Sequence, residues 1–268
     1  MFAGHRLTTE AAVQSFLAFV AFSLVASSVY VINDLADLDA DRAHPRKRNR
    51  PFASGALSPR QGRWMAALLL LPGFLVGFSI SGSFALVLFA YFAVTTLYSF
   101  SLKRKLMIDI CALAGLYTLR IFAGGVATGI TLSVWLLAFS IFFFFALAAV
   151  KRQGELVDGQ ASGETKAAGR GYQVDDLPIV TGMAIAAGYL SVLVMALYAN
   201  SPAVTALYPR PFALWGVCLV LLYWISRTVI IAHRGWMHDD PVIFAVSDRV
   251  SQICLVLILG CVSAGSLP

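Results

Sequence analysis

Apolar residues run on for about twenty positions at a time along this chain, and polar residues gather in a few dense segments between the runs. Runs long enough for an apolar helix to cross a bilayer are read near 10–32, 63–80, 83–100, 107–124, 132–150, 178–199, 209–233 and 247–267. They are continuous rather than alternating, which argues against a β-barrel. The expected fold is all-α: a polytopic transmembrane helix bundle of eight spans. It forms a single domain over 1–268, with polar loops near 34–62 and 151–177. Composition agrees, since 59% of residues are hydrophobic and only 13% charged, against about 25% charged in soluble domains.

The basic residues orient the bundle. All Lys and Arg except Arg6, Arg120, Arg210 and Arg227 fall in segments 34–63, 101–106, 151–177 and 234–249. By the positive-inside rule these segments are cytoplasmic. The expectation is an integral protein of a bacterial-type inner membrane with its long loops, and any site on them, facing the cytoplasm. The net charge of +6 is then a topology signal, and no nucleic-acid partner is expected. Cys111, Cys218, Cys254 and Cys261 show no CxxC spacing and read as small buried hydrophobes. Met1 to Arg6 reads as a polar stub before the first span, with no cleavable signal peptide. A homo-oligomer is left open.

One polar segment stands apart. Asp34, Asp37, Asp39 and Asp41 directly follow the first apolar run, and Arg46, Lys47, Arg48 and Arg50 directly follow them. If the first helix continues, Asp34, Asp37 and Asp41 share one face and Asp39 points away. Three carboxylates on one stripe repel one another, and a divalent cation relieves that repulsion; hard oxygen ligands suit Mg2+. The alternative is a solvated helix end. A calcium loop fails, because Arg42 and Arg48 stand where an EF-hand needs Gly and Glu. The basic string can simply flank a cytoplasmic helix end, but beside the carboxylates it describes a diphosphate site. Pro45 is expected to end the aspartate-bearing helix.

Other candidates follow from charge near or inside the spans. Tyr98 and Lys103 close one apolar run, while Lys151, Arg152 and Glu155 open the second long loop, ahead of Arg170, Tyr172, Asp175 and Asp176. Lys103 and Lys151 read equally well as snorkelling anchors. Arg120 lies inside an apolar run, where a guanidinium is costly unless paired, so a carboxylate or a ligand phosphate is expected beside it. Asp109 is a further polar wall residue. His44, His233 and His238 lack metal-ligand spacing and read as interfacial. Phe142 to Phe145 read as packing or lipid-facing.

Asn33-Asp34-x-x-Asp37-x-x-x-Asp41, followed by His44-Pro45-x-Lys47-Arg48-x-Arg50-Pro51, resembles the first aspartate motif of the UbiA superfamily of intramembrane prenyltransferases. The likeness extends through Tyr98 to Lys103 and Leu119-Arg120-x-x-Ala123-Gly124 and covers nearly the whole chain. It implies nine transmembrane helices around a cavity with magnesium and diphosphate under a cytoplasmic cap. Here eight spans are read and the motif follows the first, so the family's first helix is expected to be missing.

The second long loop lacks the usual second aspartate motif; Lys151-Arg152-x-x-Glu155 resembles the branch of decaprenyl-phosphate phosphoribosyltransferase. The resemblance implies a transferase with Asp34, Asp37 and Asp41 on the metal. Asn33, Lys47, Arg48, Arg50, Tyr98, Lys103, Arg120, Lys151, Arg152 and Glu155 would bind a diphosphate-containing substrate and a polyprenyl lipid. A prenyltransferase acting on an aromatic or other polar acceptor is the alternative, with Asp175 or Asp176 standing in for the second motif. A transporter or a scaffold subunit is the reading from another class, although no internal repeat supports a transporter.

Overall fold

The structure, a computed structural model, describes residues 8–43, 47–165, 169–237 and 240–267, leaving out the side chains of Ala40, Ala43, Lys47, Ala203, Thr205 and Ala206. The readings of His44, Arg46 and His238, and that of the Lys47 side chain, lie outside the described residues. Eleven α-helices follow one another among these residues. They are α1 (Thr9–Ala36), α2 (Leu38–Ala43), α3 (Pro59–Ile80), α4 (Gly82–Phe100), α5 (Ile108–Thr128), α6 (Val134–Ala161), α7 (Leu177–Ala199), α8 (Pro202–Leu207), α9 (Leu214–His233), α10 (Pro241–Ser247) and α11 (Arg249–Ser266). Eight of them are long and apolar enough to cross a membrane, in the places the hydropathy pattern marks. The protein is an integral membrane protein.

Two of these helices outrun their apolar segments. Helix α1 continues to Ala36 and α6 to Ala161, so the expected loop at 151–177 is helical over its first part. Lys151-Arg152-Gln153-Gly154-Glu155-Leu156 is polar but made mostly of good helix formers, and Arg152 pairs with Glu155 one turn on. Hydropathy marks where apolar character ends, and the helix persists beyond it.

The chain packs as two compact units. The first comprises Met1–Lys103 and Leu119–Leu132, the second Arg104–Thr118 and Ser133–Pro268. In the first unit, α1 and α3 lie close together on small residues. A Cβ on Gly73 would stand 2.8 Å from Val25 Cγ2, and the Ser28 hydroxyl donates to the Ala66 carbonyl at 2.8 Å. Membrane helices pack this way because close backbone approach replaces the hydrophobic drive that lipid cannot supply. Helix α3 opens with a capping box, in which Ser58 Oγ accepts from Gln61 N and Gln61 Oε1 accepts from Ser58 N.

In the second unit, Gly188 of α7 allows the same approach to Ile225 of α9. Phe143 stacks on Phe139 and Trp224, and Phe144 stacks on Tyr117, so the phenylalanine run packs as expected. Cys218 and Cys254 are buried thiols, whereas Cys111 is exposed and Cys261 only half-buried. The expectation that all four cysteines are buried is corrected there; on a membrane helix a small apolar side chain also suits the outward face.

Candidate functional site

The aspartates sit where the first helix breaks. Helix α1 ends at Ala36, Asp37 adopts φ −93° and ψ 9°, and α2 resumes at Leu38, with Asp41 N donating to the Asp37 carbonyl at 2.8 Å. The chain is thus nearly continuous through the motif, and α2 closes at Ala43, ahead of Pro45. Asp39 points away from the others, its side chain 99% exposed, while the Asp41 side chain is only 5% exposed. The stripe reading holds in that respect.

The carboxylates meet the chain's own cations. Arg50 Nη1 donates to Asp34 Oδ1 at 3.0 Å and to Asp41 Oδ2 at 2.9 Å, so two carboxylates separated by two helical turns converge on one nitrogen. Asp37 turns instead to Lys103, whose Nζ donates to Asp37 Oδ2 at 2.7 Å and to Asn33 Oδ1 at 3.3 Å. Helical spacing accounts for this divergence, since at about 100° per residue Asp34 and Asp41 lie almost in line while Asp37 stands to one side of them. Among the described residues, no group of three His, Cys, Asp or Glu side chains is placed to share a metal ion. Magnesium, however, is usually held by one or two carboxylates completed by substrate phosphates. Asp34 and Asp41, all-oxygen donors already converging on one cation, fit that requirement.

A buried anchor that the sequence did not reveal holds Arg50 in place. Phe52, two residues on, is buried, and a Cβ on Gly62 would come within 2.8 Å of its ring and 3.0 Å of Leu35. The intervening turn closes with Ser54 N donating to the Arg50 carbonyl and Leu57 N to the Pro51 carbonyl. The signal available was an isolated Phe in a polar loop directly after Pro51. Arg48 is exposed, and Tyr98 is half-buried near the end of α4. Arg120 of α5 donates to the Tyr91 hydroxyl at 2.6 Å and lies 5.3 Å from that ring, which is buried against Phe22.

The second unit holds a different charged cluster. Arg152 Nε meets Asp109 Oδ2 at 2.7 Å, with side chains 1% and 0% exposed, and Arg152 also pairs with Glu155. Arg170 approaches both carboxylates, at 3.6 Å and 3.7 Å. Tyr172 completes the cluster, its hydroxyl accepting from Met107 N at 3.1 Å. Met107 takes φ +63°, a strained value for a residue with a Cβ, held by that contact. Burial pushes the Tyr172 pKa up, and the Met107 hydrogen bond opposes this only in part, so the phenol stays neutral. Arg152, expected to receive a phosphate, is sealed in this network; its guanidinium is needed to neutralise a buried carboxylate.

Lys151 faces outward enough to remain 32% exposed and pairs with Asp240 at 2.6 Å. Asp176 closes a local turn by accepting from Gln173 N, and Asp175 is exposed. Arg227 forks onto Asp248 with two hydrogen bonds, at 2.7 Å and 3.1 Å. Burial alone would raise the Asp248 pKa, but hydrogen bonds from Arg227 and from Ser251 outweigh it and hold it below the usual value.

A chain of apolar spanning helices with carboxylates and cations gathered at a helix end belongs to the class of integral membrane proteins with a polar site beside the bilayer. The UbiA prenyltransferase family matches residues 1–247. The chain belongs to that family, a family of transferases, and the resemblance carried by the aspartate motif is borne out.

Nodulation protein NoeC of Azorhizobium caulinodans is 39% identical over 92% of this chain and 80% of that protein. Decaprenyl-phosphate phosphoribosyltransferase of Mycolicibacterium smegmatis is 40% identical over 55% of this chain and 46% of that one. The chain spans about half the length of several curated relatives it matches. In fold it is similar to a UbiA homolog from Archaeoglobus fulgidus bound to GPP and Mg2+. The TM-score is 0.68 over 93% of this chain and 88% of that one, at 14% identity.

Proposed function

We propose that the protein is a magnesium-dependent transferase that moves phosphoribose from phosphoribosyl diphosphate to a polyprenyl phosphate. The observation that carries this reading is the convergence of Asp34 and Asp41 on Arg50, with Asp37 and Asn33 on Lys103. A diphosphate needs cations around its oxygens, and a metal needs carboxylates; this cluster supplies both. The phosphoribosyl branch is supported by the relatives of that name at about 40% identity over half of the chain. Metal dependence is supported by the Mg2+-bound structural neighbour.

In this reading Asp34 and Asp41 hold the metal, while Arg50 and Lys103 turn from carboxylates to donor phosphate oxygens. Magnesium, when bound, supplies charge against the departing pyrophosphate. The acceptor phosphate oxygen forms a bond to the anomeric carbon as the bond from that carbon to the diphosphate oxygen breaks. Arg152 keeps the framework of the second unit. The site faces the cytoplasm, on the side of the basic loops.

Membranes containing the protein, incubated with labelled phosphoribosyl diphosphate and polyprenyl phosphate, should yield a labelled lipid. A second reading, transfer of a prenyl group to an aromatic or other polar acceptor, is favoured by the GPP-bound neighbour. Label passing only from a prenyl diphosphate would replace the first reading with the second.

A further inference from the structure

We infer that Arg50 is a built-in counter-cation that makes metal binding at Asp34 and Asp41 depend on the diphosphate. The inference rests on the metal assignment above and not on the identity of the donor. One nitrogen of Arg50 lies 3.0 Å from Asp34 Oδ1 and 2.9 Å from Asp41 Oδ2, the point between the two carboxylates that a metal would share. A guanidinium and a divalent ion cannot both stand there. The metal must therefore displace Arg50, and the displaced charge then lacks an anion unless a phosphate receives it.

The surroundings favour such an exchange. The Arg50 side chain is 39% exposed, so its guanidinium reaches solvent and any ligand arriving from it. Its backbone is fixed by the turn to Ser54 and by the buried Phe52 ring against Gly62, so the side chain swings and the loop stays. Arginine is the residue suited to trade a carboxylate for a phosphate, because its fork matches both. Lys103 repeats the arrangement on Asp37 and Asn33 at 14% exposure. A site whose carboxylates are already neutralised binds a lone cation weakly and binds the cation–diphosphate pair well. Linkage requires the metal to raise diphosphate affinity by the same factor.

The test uses the full chain in nanodiscs with Mn2+ as spectroscopic probe and inorganic pyrophosphate as the anion, without acceptor. In the parent, Mn2+ alone should bind at least about tenfold more weakly than Mn2+ with pyrophosphate, a coupling of ordinary size. Arg50→Gln should bind Mn2+ alone about tenfold more tightly than the parent and lose most of the gain from pyrophosphate. Its melting temperature should fall without metal and recover with Mg2+ alone, whereas the parent's should barely respond to Mg2+ alone.

Equal Mn2+ affinity in parent and Arg50→Gln, with pyrophosphate enhancing both alike, overturns this inference and leaves the metal assignment standing. No Mn2+ binding under any condition, in a variant that melts cooperatively, overturns both.

Discussion

Two clusters of opposite charges among the described residues, one around Asp34, Asp41 and Arg50 and the other around Asp109 and Arg152, differ in burial more than in chemistry. Around Asp34, Asp41 and Arg50 the arginine is 39% exposed, and one nitrogen serves two carboxylates. Around Asp109 and Arg152 both side chains are sealed, at 0% and 1% exposed, and the pair is supported by Glu155 and Arg170. Partners that reach solvent can be exchanged for a ligand. Partners shut away from it cannot move without leaving a charge unsolvated, so in the proposed function the same residue types serve the reaction in one place and the framework in the other. Tyr172, with its pKa raised by burial, and Met107, held at positive φ, mark the second cluster as a clip closing the turn before α5.

The largest effect should come from breaking the sealed cluster. Arg152→Ala takes from the buried Asp109 its nearest counter-charge and leaves Arg170 farther off at 3.6 Å, which costs about 3–5 kcal/mol. Thermal unfolding in detergent should show a drop of that order, with little folded protein recovered. Replacing Asp109 and Arg152 together by Leu and Met should cost much less, because the fully buried pair is gone and the less buried Glu155 and Arg170 keep each other at 3.7 Å.

In the exchangeable cluster the effect should appear in binding instead. In the proposed role of Lys103, Lys103→Gln removes a charged hydrogen bond of about 1.5–3 kcal/mol to the donor phosphates. KM for the donor should rise about tenfold or more, while the melting temperature should fall far less than in Arg152→Ala, since the Lys103–Asp37 pair still reaches solvent. A Lys103→Gln protein that unfolds like Arg152→Ala would erase the distinction between the clusters.

The smallest effect concerns Asp248. Its pKa is lower when folded, so the Arg227 pair contributes stability above the ordinary Asp value of about 3.9, and that contribution is lost as pH falls through the folded value. Between about pH 5 and pH 3 the parent should lose more melting temperature than Asp248→Asn. Parallel losses in the two would remove the pair from the account.

Much of this was legible in the sequence. Eight spans followed from hydropathy because lipid requires long apolar helices, and helical spacing foretold Asp34 with Asp41 and Asp39 turned away, but not that Asp37 meets Lys103. What the sequence hid depends on partners far apart in the chain. Arg152 looks like any basic residue after a span until Asp109 stands against it, and Lys151 until Asp240 does. No periodicity encodes such pairs. The interruption at Asp37 was hidden too, since Leu-Ala-Asp-Leu-Asp is as compatible with one helix as with two in succession. Phe52 was passed over because a single apolar residue in a polar loop carries no pattern.

Label transfer per folded molecule, compared between Asp41→Asn and Asp39→Asn in the same membranes, tests the central claim most directly. Asp39 is solvated and Asp41 converges with Asp34 on the site, so Asp39→Asn should keep activity within about twofold of the parent, as surface changes do. Asp41→Asn should fall by about a hundredfold or more, beyond the 10–100-fold typical for residues that merely support a metal ligand. Equal activity in the two variants would contradict the assignment of the reaction to this cluster.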